Sequence, residues 1–282
     1  MPLPVIDCHC HAGPGEGFTG PWDTDAPVSE HLRRARDAGI THTIVFAAFH
    51  FDYARANEAV AGIVASDPAR LSGLAFVHAM RDRGRIDAMV HRAATVHGFR
   101  GIKCHRYDGR ITREICDSAQ RHGLPVLYDV MGEVESVSLF APQYPTVPFI
   151  IPHLGSFADE WRAQRNFIDI LASHRNVFTD TSAVRRFDLL AEAVDRAGPH
   201  KVLFGSDGPW LHAGVELAKV RALRISPAAR RLIEYENAAR LFRLPAGTAP
   251  HPHQPPPRER IRRVRAGPWN QPRSTLQSVT AR

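Results

Sequence analysis

Two histidines stand two residues apart near the start of the chain, in the stretch VIDCHCHAG. Imidazole nitrogen is a common ligand of divalent transition metals in proteins. Side chains alternate between the two faces of a β-strand, so His9 and His11 would project to one side together with Asp7, and Cys8 and Cys10 to the other. The pattern predicts a histidine pair that binds one metal ion. It argues against a Cys2His2 zinc knuckle, in which all four side chains must converge.

Further polar side chains lie at the ends of other apolar runs. These residues are Lys103, His105, Asp129, His153 and Asp207. A single buried histidine is more often a structural residue than a ligand, but five such residues at strand ends are hard to explain by packing. Because a β/α barrel places its active site at the carboxyl ends of its strands, we expect these side chains to gather there with His9 and His11.

Eight short apolar runs alternate with longer amphipathic segments. The runs are rich in Val, Ile, Leu and Phe and end in polar residues or glycine, as expected of buried strands. They are residues 3–7, 42–48, 71–79, 99–104, 124–129, 147–152, 176–181 and 201–206. The segments between them show helical patterns, such as VSEHLRRARDAGI, with Ser29 as the predicted N-cap and Gly39 as the predicted end. This alternation predicts an α/β protein, a single (β/α)8 barrel domain over residues 1–245, with a doubly wound open sheet as the structural alternative.

The composition fits a globular protein with no membrane span. The chain has 282 residues, of which 44% are hydrophobic, and four cysteines, too few for a disulfide framework. Residues 246–282 are rich in Pro and Arg and are predicted to form a disordered tail. This tail holds seven Arg and one Glu, so only +1 of the net charge of +7 belongs to residues 1–245. That distribution weakens a nucleic-acid-binding interpretation, and we expect a cytoplasmic protein without a signal peptide.

Taken in order, these motifs resemble the amidohydrolase superfamily, and most closely its amidohydrolase-related branch. That branch includes aminocarboxymuconate-semialdehyde decarboxylase and related hydrolases and decarboxylases. IDCHCH, RGIKCH, LPVLYD, IIPHLG and FGSDGPW are similar to its first, fourth, fifth, sixth and eighth strands, and ENAARLFRL resembles its closing helix. The resemblance covers residues 3–244. It implies a metal-dependent (β/α)8 enzyme with a small-molecule substrate, and it suggests a homodimer.

The resemblance also implies roles for individual residues. His9 and His11 match the first two metal ligands. Asp207 matches the aspartate that binds the metal and takes a proton from metal-bound water, and His153 matches the histidine that positions or polarises the substrate. The fifth strand of the branch usually ends in a ligand histidine, whereas this chain has Asp129. Three outcomes stay open: Asp129 is a ligand, His153 completes the metal shell in its place, or the site is weakened or lost.

The expected cofactor is one divalent metal ion, with zinc as the first choice. An additional carboxylate ligand would shift the preference towards manganese or iron. Lys103 matches the position of a lysine that is carbamylated in some barrels of the superfamily, but we favour an ion pair with a substrate carboxylate. His105 is expected to line the pocket or to hydrogen-bond a ligand. The alternative for His105 is a polar side chain that only closes the strand end.

The leading hypothesis is hydrolysis of a C–N or C–O bond of a small molecule by metal-activated water. Non-oxidative decarboxylation of a small carboxylic acid could use the same residues, and the sequence does not decide between the two reactions. An inactive barrel that serves as a binding module is a further alternative, because of the change to Asp129.

Overall fold

A ring of parallel strands forms the centre of the fold. The computed structural model describes residues 4–17, 24–157 and 160–244. The strands in these residues are β1 (Ile6–Ala12), β2 (His42–Ala47), β3 (Leu71–Gly73), β4 (Ala75–Phe76), β5 (Ile102–His105), β6 (Val126–Asp129), β7 (Phe149–Ile151), β8 (Val177–Asp180) and β9 (Val202–Leu203).

Backbone hydrogen bonds close this sheet on itself. β1 to β3 pair in order, and β4 to β9 pair in order, and all of these pairs are parallel. β3 and β4 are separated only by Leu74, whose N–H donates to the backbone of β2 at 2.9 Å, so they are two parts of one barrel strand. On the far side, Cys8 N–H donates to the Phe204 carbonyl at 3.0 Å, and Cys10 pairs with Gly208. The predicted (β/α)8 barrel is confirmed, and β5 to β9 are its fourth to eighth strands.

Helices follow the strands around the outside of the ring. They are α1 (Val28–Ala38), α2 (Tyr53–Ser66), α3 (Ile86–Thr95), α4 (Arg113–His122), α5 (Val137–Phe140), α6 (Trp161–Ser173), α7 (Phe187–Ala197), α8 (Ala213–Ala222), α9 (Pro227–Arg231) and α10 (Asn237–Leu241), with a π-helical turn (Leu232–Glu236) between the last two. No helix within the described ranges is both long and apolar enough to cross a membrane.

The ends of α1 and α4 show how local sequence sets helix boundaries. Gly39 ends α1 as predicted, at φ +83°, where a residue with a Cβ would be strained. The predicted Ser29 cap is wrong, because Pro27 holds the N-cap position with φ −72° and no side chain caps the helix, which therefore starts before Ser29. In α4 the Thr112 hydroxyl does accept an N–H, that of Ile115, at 3.4 Å.

Alternation along each strand separates the barrel interior from the helix layer. Val126 and Tyr128 of β6 pack with the helices, whereas Leu127 belongs to a second apolar cluster that fills the ring. This inner cluster also contains Ile150, Phe178 and Leu203. The next inward position on β6 is Asp129, and on β8 it is Asp180. Polar side chains thus begin where the apolar filling ends. The predicted tail, residues 246–282, lies outside the described residues.

Candidate metal centre and pocket

His9, His11 and Asp207 converge at the carboxyl end of the barrel. Nε2 of His9 lies 3.3 Å from Oδ1 of Asp207, and Nε2 of His11 lies 3.5 Å from the same oxygen. None of the three residues is more than 5% exposed. The backbone N–H of Asp207 donates to the His9 carbonyl at 2.8 Å, which ties the loop after β9 to β1. Closure of the barrel in this way brings together His9 and Asp207, which are 198 positions apart in the sequence.

The second nitrogen of each imidazole ring is already engaged. Nδ1 of His11 donates to the Ala47 carbonyl oxygen at 3.0 Å, and Nδ1 of His9 donates to Oδ2 of Asp180 at 2.8 Å. In a neutral ring this leaves Nε2 as an acceptor. Two imidazole nitrogens and one carboxylate oxygen therefore face one another as acceptors. A positive charge, either a proton on a ring or a bound metal ion, stabilises this arrangement.

The pKa values of these groups show that the two carboxylates favour a positive charge here. Burial alone lowers the pKa of His9, but the charges and hydrogen bonds of Asp180 and Asp207 outweigh it and raise the pKa to about 9. Burial lowers the pKa of His11 to about 4. Burial raises the pKa of Asp207, but its hydrogen bonds to the two histidines hold it well below the usual range. Two histidines and one carboxylate are a donor set that zinc and iron(II) accept, so the residues fit a divalent metal ion.

Asp180 and Ser182 support this centre from behind, and the sequence analysis missed both. Oδ1 of Asp180 accepts from the N–H of Ser182 at 3.0 Å and from its hydroxyl at 2.5 Å. The hydroxyl oxygen of Ser182 lies 2.9 Å from Nδ1 of His153. One carboxylate thus orients His9 directly and His153 through Ser182. The signal was present, since Asp180 ends its strand just as Asp129 does.

Asp129 lies against a different set of partners. Nδ1 of His105 accepts the N–H of Tyr107 at 3.0 Å, so the proton of a neutral His105 ring is on Nε2, 3.2 Å from Oδ2 of Asp129. The N–H of Met131 donates to Oδ1 at 2.8 Å, and Nε2 of His153 lies 3.6 Å from Oδ2. Burial raises the pKa of Asp129, but His105, His153 and Lys103 outweigh it and hold the pKa below the usual range.

The backbone is strained at two of these positions. His153 has φ +59° and Asp207 has φ +55°, in the left-handed region that side chains with a Cβ rarely adopt. Such strain costs about 1–3 kcal/mol at each residue and collects at functional sites. Here it turns both side chains towards the same pocket.

Lys103 is buried without an opposite charge beside it. It is 1% exposed, its Nζ lies 5.0 Å from the centre of the Phe46 ring, and it forms no ion pair within the described part of the chain. Burial lowers its pKa, and the more distant carboxylates of Asp129 and Asp207 oppose that effect. A buried ammonium group of this kind requires a counter-charge from a ligand or a neutral state.

These side chains line one cavity of about 370 Å³. All the predicted site residues border it, namely His9, His11, Lys103, His105, Asp129, His153 and Asp207. Phe49, Tyr107, Met131 and Phe157 supply apolar walls. Tyr107 and Met131 are 56% and 51% exposed, so they lie at the mouth. The volume suits a small ligand, and the mixture of apolar walls with a few polar groups is typical of a ligand site.

Asp7 does not point into this cavity. The regular alternation predicted that it would project with His9 and His11, and this prediction is wrong. The register of β1 against β2 shifts between Asp7 and Cys10, which adds one residue to β1. Oδ2 of Asp7 consequently lies 2.5 Å from the Ser206 hydroxyl and 3.2 Å from Nε2 of His31 on α1. Asp7 therefore fastens the strand and the loop that carry the metal-centre residues.

The five predicted metal ligands fall into two sets. Within the described ranges, groups of three side chains that could hold an ion are His9–His11–Asp207 and His9–His153–Asp180. In the second group, Nδ1 of His9 and Oδ2 of Asp180 already share a hydrogen bond. The structure brings His9, His11 and Asp207 together, and it places His153 between them and Asp129, with its ring centre 5.1 Å from that of His9 and its Nε2 3.6 Å from Oδ2 of Asp129.

Comparisons with solved structures give the same fold. A proposed 2-pyrone-4,6-dicarboxylic acid hydrolase from Pseudomonas putida matches with a TM-score of 0.67 and 18% identity, over 86% of this chain and 98% of that one. 2,6-Dihydroxybenzoate decarboxylase from Rhizobium matches with a TM-score of 0.66 and 17% identity, over 86% of this chain and 99% of that one. A third match is a variant of 5-carboxyvanillate decarboxylase from Novosphingobium aromaticivorans with bound manganese and a nitrobenzoic acid. Its TM-score is 0.67 at 14% identity, over 86% of this chain and 97% of that one.

Sequence comparison places the chain in a family. A search of curated protein sequences finds no match. The family model described as amidohydrolase matches residues 6–244, which is most of the chain and includes every strand of the barrel. The resemblance drawn from the strand-end motifs is thereby confirmed, and the chain belongs to the amidohydrolase family.

Proposed function

We propose that this protein is a metal-dependent enzyme that hydrolyses a C–N or C–O bond of a small carboxylated molecule. The observation that carries the proposal is the convergence of three acceptors, Nε2 of His9, Nε2 of His11 and Oδ1 of Asp207, in a cavity at the carboxyl end of the barrel. Membership of the amidohydrolase family supports it.

His9, His11 and Asp207 would hold the metal ion. Zinc suits the two nitrogens and one oxygen, and manganese is the ion bound in one of the similar structures. A divalent ion there would supply Lewis acidity, which polarises a substrate oxygen and lets water react near neutral pH. Asp129 already accepts hydrogen bonds from Met131 N–H and from Nε2 of His105, so it would act as a hydrogen-bonding residue of the pocket instead of a metal ligand.

The remaining residues move the protons and hold the substrate. In hydrolysis, the oxygen of water bonds to the carbonyl carbon while Asp207 takes the proton, which then passes to the leaving nitrogen or oxygen as the scissile bond breaks. His153 faces the pocket through Nε2, because its Nδ1 donates to the Ser182 carbonyl at 2.9 Å. In the imidazolium form, Nε2 also carries a proton and would polarise the carbonyl oxygen. The Lys103 ammonium would pair with a substrate carboxylate.

Decarboxylation is the second candidate, and the buried Lys103 beside His153 favours it. Two of the similar structures are decarboxylases of ring carboxylic acids. In that reaction His153 would deliver a proton to the ring carbon, and the electrons of the C–C bond would refill the ring as CO2 leaves. The same residues serve both reactions.

Product analysis distinguishes the two reactions. The metal-loaded protein would be incubated with ring lactones, amides and hydroxybenzoates, and both acid release and CO2 release would be followed. Acid release without CO2, lost in His9→Ala/His11→Ala, is the expected result for hydrolysis. CO2 release would establish the decarboxylase. Neither product from any substrate with a fully loaded metal site would contradict the enzymatic proposal.

A further inference from the structure

A smaller cavity of about 180 Å³ lies beside the main pocket. Phe49 and Tyr107 line both cavities, and their rings are 5.7 Å apart, so this aromatic pair separates the two spaces. The smaller space, here called the side chamber, is otherwise lined by polar residues. They are Glu16, His50, Tyr53, His78, Arg81 and Asp108. Most of them lie on loops that follow barrel strands, as the residues of the main pocket do.

One wall of the side chamber is satisfied by its own contacts. The Tyr53 hydroxyl donates to Oδ2 of Asp108 at 2.7 Å. Nδ1 of His78 accepts the N–H groups of Met80 and Arg81, both at 3.1 Å, so the proton of a neutral His78 is on Nε2, 3.6 Å from Oδ1 of Asp108. Asp108 is thus buried between the Tyr53 hydroxyl and the His78 ring.

Two other groups have no partner. Oε2 of Glu16 is buried and accepts no hydrogen bond. His50 is 7% exposed, and its Nδ1 accepts the N–H of Asp52 at 2.9 Å, which puts the proton of the neutral ring on Nε2. That Nε2–H donates to no residue in the described ranges. A buried acceptor without a partner, as Oε2 of Glu16 is, is costly unless a ligand or water meets it.

Arg81 adds an opposite charge that Glu16 does not neutralise. Its guanidinium donates to the His50 carbonyl at 3.4 Å and forms no ion pair with any carboxylate in the part of the chain that the structure describes. The side chamber is therefore lined by one positive side chain, the exposed Arg81, and one negative side chain, Glu16, which form no ion pair with each other.

We propose that the side chamber binds the zwitterionic head group of a substrate, with an ammonium and a carboxylate on neighbouring atoms, as in an α-amino acid. Glu16 accepts from the ammonium, and the charge of Asp108 adds to the attraction. Arg81 and Nε2–H of His50 donate to the carboxylate. An amide or a hydroxyl group would meet the unpartnered atoms but leave both charges unpaired. The extension of such a substrate past Phe49 into the main pocket rests on the proposed function; binding of the head group does not.

The test uses glycine, the smallest molecule with both charges, and compares it with acetate and methylammonium in ligand-observed NMR titrations of the full chain. We expect glycine to bind at least about tenfold more tightly than either single-charge probe. Glu16→Gln and Arg81→Met should each abolish this preference. Lys103→Met, which changes the main pocket alone, should leave it intact. Circular dichroism confirms that each variant is folded.

The other outcomes overturn the proposal. If glycine binds no more tightly than acetate, or does not bind, the side chamber holds water only. If Lys103→Met removes the preference, glycine was bound in the main pocket. If the preference survives both Glu16→Gln and Arg81→Met, the head group binds elsewhere. Failure of the proposed function would appear separately, as a wild-type protein that takes up no metal, and the titration does not depend on that result.

Discussion

Two aspartates, Asp207 and Asp129, line the main pocket, and their surroundings differ. Asp207 faces Nε2 of His9 and His11, whose ring protons are already donated on the other side. Asp129 accepts from Met131 N–H and from Nε2 of His105, whose Nδ1 is occupied by a backbone N–H. The orientation of the neighbouring imidazole rings decides whether a strand-end carboxylate needs a cation.

This difference supports the proposal that Asp207, and not Asp129, binds the metal. Asp207 meets two ring nitrogens that are acceptors in the neutral rings, whereas Asp129 already accepts from Met131 N–H and from Nε2 of His105. Asp180 is part of the same difference, because it takes the Nδ1 proton of His9 and so leaves Nε2 free to bind a metal.

Removing each carboxylate in turn is the strongest challenge to this assignment. Asp207→Ala should weaken metal binding by more than about 100-fold, beyond the range seen for residues behind the ligands. Asp129→Ala should keep its metal, since Asp129 meets hydrogen-bond donors instead of the ion. Metal titration of both variants measures this. Loss of metal from Asp129→Ala to the same extent would show that Asp129 is a ligand.

Asp180→Asn sharpens the comparison one step away from the ligands. The amide cannot hold the His9 ring as the carboxylate does, so we expect metal affinity to fall by about 10–100-fold. Asp188→Asn is the matched control, because Asp188 is an exposed partner of Arg186 at the start of α7. Titration with Mn²⁺ followed by electron paramagnetic resonance gives both affinities. Equal metal affinities in the two variants would show that Asp180 does not support metal binding by His9.

The raised pKa of His9 predicts how metal binding depends on pH. Nε2 must lose its proton before it binds an ion, and with a pKa of about 9 in the metal-free protein that proton is present at neutral pH. The apparent affinity should therefore rise about tenfold per pH unit from about pH 6 to about pH 8 and level off above about pH 9. Calorimetry in buffers of different ionisation enthalpy would detect the released proton. A constant affinity over this range contradicts the assignment.

Substitution of the two buried lysines, Lys103 and Lys201, is expected to give the smallest effects. Lys103 has no ion-pair partner in the described residues, whereas Nζ of Lys201 donates to the carbonyls of His174, Arg175 and Val177. Lys103→Met should weaken benzoate binding by about tenfold without lowering the free energy of unfolding. Lys201→Met should lower that free energy by about 1–3 kcal/mol without changing benzoate binding. Urea unfolding and benzoate titration of both variants would test this, and the reverse pattern would exclude Lys103 as the carboxylate partner.

The barrel and the residues of its pocket could be predicted from the sequence because the end of a strand is marked by neighbouring residues in the sequence. Apolar runs end in polar residues where the strands leave the core, and this rule found Lys103, His105 and Asp129. It applied equally to Asp180 at the end of β8, which the prediction left out. The role of Ser182 depends on a loop geometry that no spacing encodes.

Partners across the ring could not be predicted. One extra residue in β1 turns Asp7 towards His31, and alternation gives no warning of such a shift. Whether Asp129 meets the metal or His105 depends on which ring nitrogen of His105 is free. That in turn depends on the backbone N–H of Tyr107 in the following turn. These contacts arise from tertiary packing.

Elemental analysis of protein purified without added metal tests the central claim most directly. The samples are the wild type, His9→Ala/His11→Ala and a control, His91→Ala/His97→Ala, whose histidines lie in and just after α3 outside the pocket. We predict about one equivalent of a divalent metal in the wild type and the control and none in His9→Ala/His11→Ala. Absence of metal from the wild type, even after reloading with zinc or manganese, or full retention in His9→Ala/His11→Ala, would contradict the account.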